Sequence, residues 1–342
     1  MTSTRQGVSI RDVARAAQVS PTTVSHALGG KRPVAESTRR RVIETAARLG
    51  YRPHPGARSL KAAGAGVLGL CLVNVTGGPM PVAEMEYYFR LINAATQAAL
   101  DEHLALVVVP DTGDGEFLDR LLLDGAVVAD PLPADANLRR LRARGLPCVT
   151  IGREPDAPAE GYWVDSDTER ATIEALDHLA ARGARDVAAL TWDTGDFWTQ
   201  SGLGAYRRWC ADHDRPARVT VIAEDTTAAI DAAVAALLDA EPRPDAVYVL
   251  YELPALALHE AAGRRGLDVP GELMIVAPGD FGAGAARGPS LTTLDYHPDE
   301  LGRAAAAMLV DLVRGREPAT PRLIVPATLI EGESTRRLPV RT

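Results

Sequence analysis

The 342-residue chain holds only three cysteines, Cys71, Cys148 and Cys210. They stand far apart with no CxxC, which argues against a disulfide framework or a zinc knuckle and points to a reducing compartment, the cytoplasm. No apolar run approaches the roughly 18–20 residues of a membrane span. The N-terminus, with Arg5 and Arg11 among polar residues, lacks a signal-type apolar stretch, so secretion and membrane insertion are disfavoured. Catalytic motifs are missing as well: none of the seven histidines forms HExxH, and no GxSxG occurs. Gly29-Gly30-Lys31-Arg32 lacks the upstream glycine and the Ser/Thr of a P-loop. Gly282-Ala283-Gly284-Ala285-Ala286-Arg287-Gly288 has the spacing GxGxxxG and no βαβ unit with a placed acidic residue after it. No metal, no cofactor and no catalysis are therefore expected.

What is present is an ordinary globular composition, 46% hydrophobic and 24% charged, in a chain long enough for two or three cores. The net charge of −8 hides an asymmetry. Residues 1–61 hold twelve Lys and Arg against Asp12, Glu36 and Glu44, a net of +9, which leaves −17 for the remainder. A basic head on an acidic body suggests a polyanion partner for the head alone.

Within the head, Ile10, Val13, Ala14 and Ala17 recur at the period of one helix face, and Ser9 with Asp12 makes a capping-box-like start. Gln18 and Val19 form a turn. Ser20 then caps a second helix whose first residue is Pro21, where the missing N–H costs nothing. Val24, Ala27 and Leu28 lie on one side of that helix, which leaves Thr22, Ser25 and His26 on the other with Thr23 at the rim. Small hydrogen-bonding side chains on a short outward face suit base edges in a major groove. A third helix runs from about Glu36 to Leu49, with Arg39, Arg40 and Arg41 in its first half and Gly50 as its stop. Each helix alone would pass for an amphipathic helix with a solvated face. Together they read as a helix-turn-helix.

The stretches Val8-Ser9-Ile10-Arg11-Asp12-Val13-Ala14, Val19-Ser20-Pro21-Thr22-Thr23-Val24-Ser25-His26-Ala27-Leu28 and Leu49-Gly50-Tyr51-Arg52-Pro53 resemble the head of the lactose-repressor/galactose-repressor (LacI/GalR) family of bacterial transcription regulators. Thr22 to His26 is similar to the purine-repressor branch. By the resemblance, Ser20, Pro21, Thr22, Thr23, Ser25, His26 and Arg39 would contact DNA. Pro53-His54-Pro55-Gly56-Ala57-Arg58-Ser59-Leu60-Lys61 resembles the family's hinge, with Leu60 as a minor-groove wedge flanked by Arg58 and Lys61. Composition alone reads the same stretch as a Pro/Gly-rich linker. Pro55 and Gly56 depart from the helix formers usual there and weaken the hinge helix.

From Val67 onward short apolar runs alternate with helical patterns. Runs at Val67–Val73, Leu104–Val109, Gly125–Ala129 and Cys148–Ile151 surround a helix over Glu84–Glu102. After Asp165 come a helix to Arg182, Val187–Leu190, a helix near Leu203–Asp212, Val219–Ile222, a helix over Thr226–Ala240 and Ala246–Leu250. Helices over Leu253–Arg265 and Asp299–Arg314 and runs at Leu273–Ala277 and Leu323–Val325 complete the series. Such alternation predicts doubly wound parallel α/β sheets with a ligand cleft at the strands' C-terminal ends. Pro289-Ser290-Leu291-Thr292-Thr293 and Pro326-Ala327-Thr328-Leu329-Ile330 are among the stretches that extend the family resemblance to this region. The resemblance implies a two-subdomain periplasmic-binding-protein-like core. The expected division is 1–50 helix-turn-helix, 51–65 hinge, 66–165 with 296–322 one core subdomain, and 166–295 with 323–338 the other.

Effector contacts implied by the family are Tyr88, Phe89, Arg153, Asp167, Glu252, Asp280 and Tyr296, and Trp198 joins them as an aromatic suited to stacking on a sugar ring. Tyr88, Phe89 and Tyr296 fit packing equally well, and Trp163, Trp192, Phe197 and Trp198 fit either core or stacking platforms. Gly202 stands where the family has an arginine, and Glu252 where it has an aspartate. The implied function is a cytoplasmic, homodimeric repressor of transcription that binds a near-palindromic operator under the control of a small, sugar-like effector. A solute-binding protein and a sugar-processing α/β enzyme are the rivals, disfavoured by the basic head and by the missing signal and catalytic motifs.

Overall fold

The computed structural model describes residues 8–29, 34–51, 64–72, 86–110, 113–279 and 290–336. The chain divides into two units, Met1–Ala65 and Gly66–Thr342.

In the first unit, α1 (Ile10–Ala17) begins with the expected capping box. The Ser9 N–H donates to the Asp12 carboxylate at 3.0 Å, and the Asp12 N–H donates to the Ser9 hydroxyl at 3.4 Å. Gln18 ends the helix in the left-handed region, and α2 (Pro21–Gly29) starts with the Thr23 N–H donating to the Ser20 hydroxyl at 3.0 Å. The third helix, α3 (Glu36–Leu49), stops at Gly50 with φ +66°, a conformation that only glycine adopts without a Cβ penalty. The apolar stripes meet as the periodicity requires. Val13, Ala14, Ala17, Val24, Ala27, Val42 and Ala46 are buried against one another.

Two six-stranded sheets organise the second unit. The first contains β1 (Val67–Leu72), β2 (Ala105–Pro110), β3 (Gly125–Ala129), β4 (Cys148–Ile151), β5 (Trp163–Ser166) and β11 (Arg322–Val325), in the order β11-β5-β4-β3-β1-β2 with every pair parallel. One face is covered by α4 (Glu86–Asp101) and α11 (Pro298–Val313), the other by α5 (Glu116–Asp119) and α6 (Ala136–Ala143). Coverage of both faces is why β3 reads as an unbroken small apolar run, all of it buried. Gly302 lets α11 lie against α4, since a Cβ there would sit 2.4 Å from the Leu91 carbonyl oxygen.

The second sheet contains β6 (Val187–Trp192), β7 (Arg218–Ile222), β8 (Ala246–Val249), β9 (Met274–Pro278), β10 (Thr292–Asp295) and β12 (Thr328–Ile330), in the order β12-β10-β9-β8-β6-β7. It is parallel except where β12 runs against β10. Helices α7 (Thr168–Ala181) and α8 (Phe197–Asp212) cover one face, and α9 (Thr227–Leu238) with α10 (Glu252–Arg264) the other. The chain passes between the sheets after β5, after β10 and after β11. Among the described residues no helix is long and apolar enough to cross a membrane.

The expected assignment of 323–338 to the second subdomain needs correction. Leu323, Ile324 and Val325 pair with Val164, Asp165 and Ser166 of β5 in the first sheet, so the last crossing falls between Val325 and Thr328. The elements not foreseen, β5, β10, β12, α5 and α6, are short. Periodicity over three to five residues does not separate strand from loop, and Arg139, Arg140 and Arg142 break up the apolar pattern of α6. The α4 helix starts at Glu86 where the described residues resume. The α8 helix begins six residues before Leu203, its Thr199 N–H bonded to the Asp196 carboxylate at 2.8 Å.

Candidate functional site

On α2, burial of Val24 and Ala27 fixes the rotation of the helix and leaves Pro21 and Thr22 exposed, with Thr23, Ser25 and His26 half-buried beside them. Thr22 and His26 lie one turn apart on the outward side. The Ser20 hydroxyl caps the helix and lies 2.9 Å from the Thr23 hydroxyl, so both are partly engaged within the helix start. The other two helices of the unit carry exposed arginines: Arg11 on α1 and Arg39, Arg40, Arg41 and Arg48 on α3. Arg15 lies 3.6 Å from Asp12 and stays largely solvated. Arg58, Leu60 and Lys61 lie outside the described residues.

In the second unit a cavity with about 730 Å³ of empty space, mouth included, opens between the two sheets. Its position follows from the topology. Asp130 directly follows β3, Leu250 to Glu252 follow β8, and Pro278 and Gly279 end β9, so the walls are built at the carboxyl ends of parallel strands. Asp130 takes φ +50°, a left-handed backbone that aspartate tolerates better than most residues. The Tyr88 hydroxyl donates to its carboxylate at 2.7 Å. Across the cleft, Asp196 accepts from the Thr199 backbone and hydroxyl and lies 3.4 Å from the Tyr251 hydroxyl.

Burial raises the Asp130 carboxyl to about 7, partly opposed by the Tyr88 hydrogen bond and reinforced by the negative charges of Asp196 and Asp165. Asp165 is raised to about 6 by burial, against the attraction of Arg153. Burial also pushes Tyr88, Tyr251 and Tyr296 upward, which keeps their hydroxyls protonated as donors. Tyr296 is 3% exposed, stands edge-on to Trp198 at 4.2 Å, and its buried hydroxyl lacks a well-formed hydrogen bond among the described residues. Arg90 spans Asp299 and Asp295, its Nε 2.8 Å from the former and Nη1 3.6 Å from the latter.

Of the expected effector contacts, the cavity brings together Tyr88, Trp198, Glu252 and Tyr296. Phe89 is corrected: one residue beyond Tyr88 a helix turns by about 100°, and Phe89 faces solvent at 60% exposure. Arg153 is engaged in the wall, its guanidinium carbon 4.5 Å from the Trp163 ring and 4.9 Å from the Phe197 ring, with Nε 2.8 Å from Asp165. Asp167 caps α7 and pairs with Arg170. Asp280 lies outside the described residues. Trp163 and Phe197 are thus packing partners of Arg153, and Trp192 packs against Tyr251, which leaves Trp198 as the platform.

Gly202 is buried, and a Cβ there would lie 3.1 Å from a Leu250 methyl, so any larger side chain at this position requires Leu250 to shift. Sequence reasoning missed Tyr87, Arg90, Asp130, Asp196, Tyr251 and Asp295. Asp130 and Tyr251 follow forecast apolar runs by a residue or so, and that position was the available signal.

Comparison with known proteins supports both units. Residues 9–54 match the family model described as "Bacterial regulatory proteins, lacI family", and residues 176–335 match "Periplasmic binding protein-like domain". Among curated relatives, the regulator PtxS of Pseudomonas putida is 28% identical, with 97% of each chain covered. The repressor CytR of Escherichia coli K12 is 26% identical over 96% of this chain and 97% of its own. Among solved structures, the lac repressor dimer bound to operator and the anti-inducer ONPF aligns with a TM-score of 0.80 at 20% identity, covering 96% of this chain and 99% of that one. The CelR–cellobiose complex aligns at 0.70 with 22% identity, covering 96% and 99%.

Proposed function

We infer that the chain is a DNA-binding transcriptional regulator of the LacI family and not an enzyme. From that premise we propose that it is a cytoplasmic homodimeric repressor whose affinity for a near-palindromic operator is set by a small polar effector in the cleft. The observation that carries this reading is the presence, in one chain, of an outward hydroxyl- and imidazole-bearing helix and a cavity whose walls come from two sheets.

One recognition helix covers half an operator site, so two-fold symmetry in the protein is matched by two-fold symmetry in the DNA. Ser20, Pro21, Thr22, Thr23, Ser25 and His26 meet base edges and nearby phosphates, and Arg39 holds a phosphate. The hinge residues Arg58, Leu60 and Lys61 add a minor-groove contact, with leucine as the wedge and the cations on phosphates. A ligand that contacts both walls favours one angle between the two sheets, and each angle differs in how the paired hinges are presented to DNA. Such coupling is worth about 1–3 kcal/mol in comparable systems. The cellobiose bound by CelR favours a sugar or sugar derivative as ligand class here. Tyr88, Trp198, Glu252 and Tyr296 supply rings to stack on and polar groups to bind hydroxyls.

The test is selection of operator from random DNA with the full chain, followed by titration of sugars and derivatives against the protein–operator complex. The reading expects a palindromic consensus and a compound that shifts operator affinity. A chain that selects no sequence overturns it.

A further inference from the structure

Resting on the cleft as the effector site, we propose that its ligand is cationic: a sugar-sized hydroxylated ring that carries a protonated amine, held between Asp130 and Asp196. The charge of the lining leads there. Among the described residues, the carboxylates of Glu86, Asp130, Asp196 and Asp295 line the cavity with one guanidinium, Arg90, and that group already spans Asp295 and Asp299. No basic side chain pairs with Asp130 or Asp196 among the described residues, although each is drawn from a different wall. An anionic ligand would meet uncompensated like charge in a partly desolvated site, and a neutral ring would leave the two carboxylates facing one another.

Two further observations point to a ligand rather than to an acidic cluster alone. The Tyr296 hydroxyl is buried in the cavity wall beside the Tyr248 hydroxyl and makes no well-formed hydrogen bond among the described residues, a capacity that a ligand hydroxyl would use. The rings of Trp198, Tyr296, Tyr87 and Tyr88 meet edge to face at 4.2 and 5.1 Å and give the site aromatic surfaces, which attract ammonium groups as well as sugar rings. Aromatic faces combined with carboxylates that have hydrogen-bond donors but no cationic partner among the described residues recognise an amine through both cation–π attraction and charged hydrogen bonds.

The protonation of Asp130 follows. Tyr88 from α4, Asp165 from β5 and Asp196 at the head of α8 act on its carboxyl, Tyr87 and Tyr251 feel its charge in turn, and none of these supplies positive charge. With a value of about 7, Asp130 is partly protonated at neutral pH. An ammonium arriving beside it favours the carboxylate, so binding releases a proton.

The experiment titrates the full-length protein with glucosamine, glucose and glucuronate, and with the galacto- and manno-configured counterparts, by thermal shift and tryptophan fluorescence. Calorimetry at pH 7 in two buffers of different ionisation enthalpy counts protons. At least one amine is expected to bind at millimolar concentration or better with release of a fraction of a proton, ahead of its neutral and acidic partners. Asp130→Asn, which keeps an acceptor for Tyr88, should weaken that amine about 10- to 100-fold, the loss of one charged hydrogen bond, and remove the proton release. Asp196→Asn retains a good helix cap and should weaken it similarly.

Glucose or glucuronate binding more tightly than the amines, in a manner lost with Trp198→Ala, would overturn the cationic ligand and leave the cleft as effector site. Binding indifferent to Trp198→Ala and Asp130→Asn would overturn the cleft itself. Absence of binding by every amine at millimolar concentration would also overturn the cationic proposal.

Discussion

The head places its recognition chemistry outside, on α2, whereas the core places its own inside, at the ends of strands that come from two sheets. Thr22 and His26 are adjacent because they are four residues apart on one helix. Asp130 and Asp196 become neighbours only once both sheets are folded and packed. A surface built by one helix demands little of the rest of the chain. A cleft built by two sheets demands that buried carboxylates be tolerated, and Asp130 carries that cost in its raised value. Mutations in the head should therefore act on DNA alone, and mutations in the core on stability, pH response and ligand.

The largest effect expected is structural and confined to the core. Gly302→Val puts side-chain atoms where even a Cβ would lie 2.4 Å from the Leu91 carbonyl oxygen, so α11 must move off α4. Overpacking of this kind costs about 1–3 kcal/mol, occasionally more. Calorimetry of the full chain should show the core transition lowered while specific DNA recognition at low temperature survives. An unchanged core transition would mean the two helices are not held at this distance.

Next is His26→Ala, expected to weaken specific operator binding by about 1–3 kcal/mol and relax preference at one base pair, with the core's thermal transition unmoved. Selection from random DNA decides it: an unchanged consensus removes His26 from base reading.

Asp130→Asn sharpens the comparison through pH. The folded value of about 7 lies above the ordinary 3.8, so the folded chain holds a proton that the unfolded chain lacks between those limits. Stability from this group therefore falls as pH rises from about 4 to about 7, and the ionised carboxylate is a full cost above that range. The variant should melt higher than the parent at pH 8, by about 2–4 °C for each 1 kcal/mol recovered, and converge with it near pH 4. A melting difference independent of pH would contradict the buried-charge account.

The smallest effect belongs to Arg39→Ala, an exposed cation on α3. Operator and nonspecific DNA should weaken together, and the salt dependence of binding should lose about one unit of slope. A change confined to one base position would make Arg39 a base-reading residue.

The same contrast explains what could be read from residues alone. The capping box at Ser9, the proline start at Pro21 and the Gly50 stop are local devices, and each appears where the spacing predicted it. The long alternation of apolar runs and helices likewise specified parallel, doubly wound sheets, because strands covered on both faces must be apolar throughout. The cleft was only half legible. Tyr88, Glu252 and Tyr296 came from the family resemblance and Trp198 from the few aromatics available, and all four line the cavity, yet the neighbouring Phe89 faces solvent because a helix rotates each successive side chain away. Arg153 carries a ligand-binding type of charge in sequence, but the rings that engage it, Trp163 at the start of β5 and Phe197 at the start of α8, meet it only in the fold. Asp130 and Asp196 went unread because their importance lies in mutual proximity, which no periodicity encodes.

The account's central claim is that the chemistry inside the core governs the chemistry outside the head. The most direct test is operator affinity of the full-length protein, measured by fluorescence anisotropy with and without a compound whose thermal shift is abolished by Trp198→Ala. The account predicts a change of about tenfold or more, absent in Trp198→Ala. Saturation of the cleft with operator affinity unchanged would contradict it.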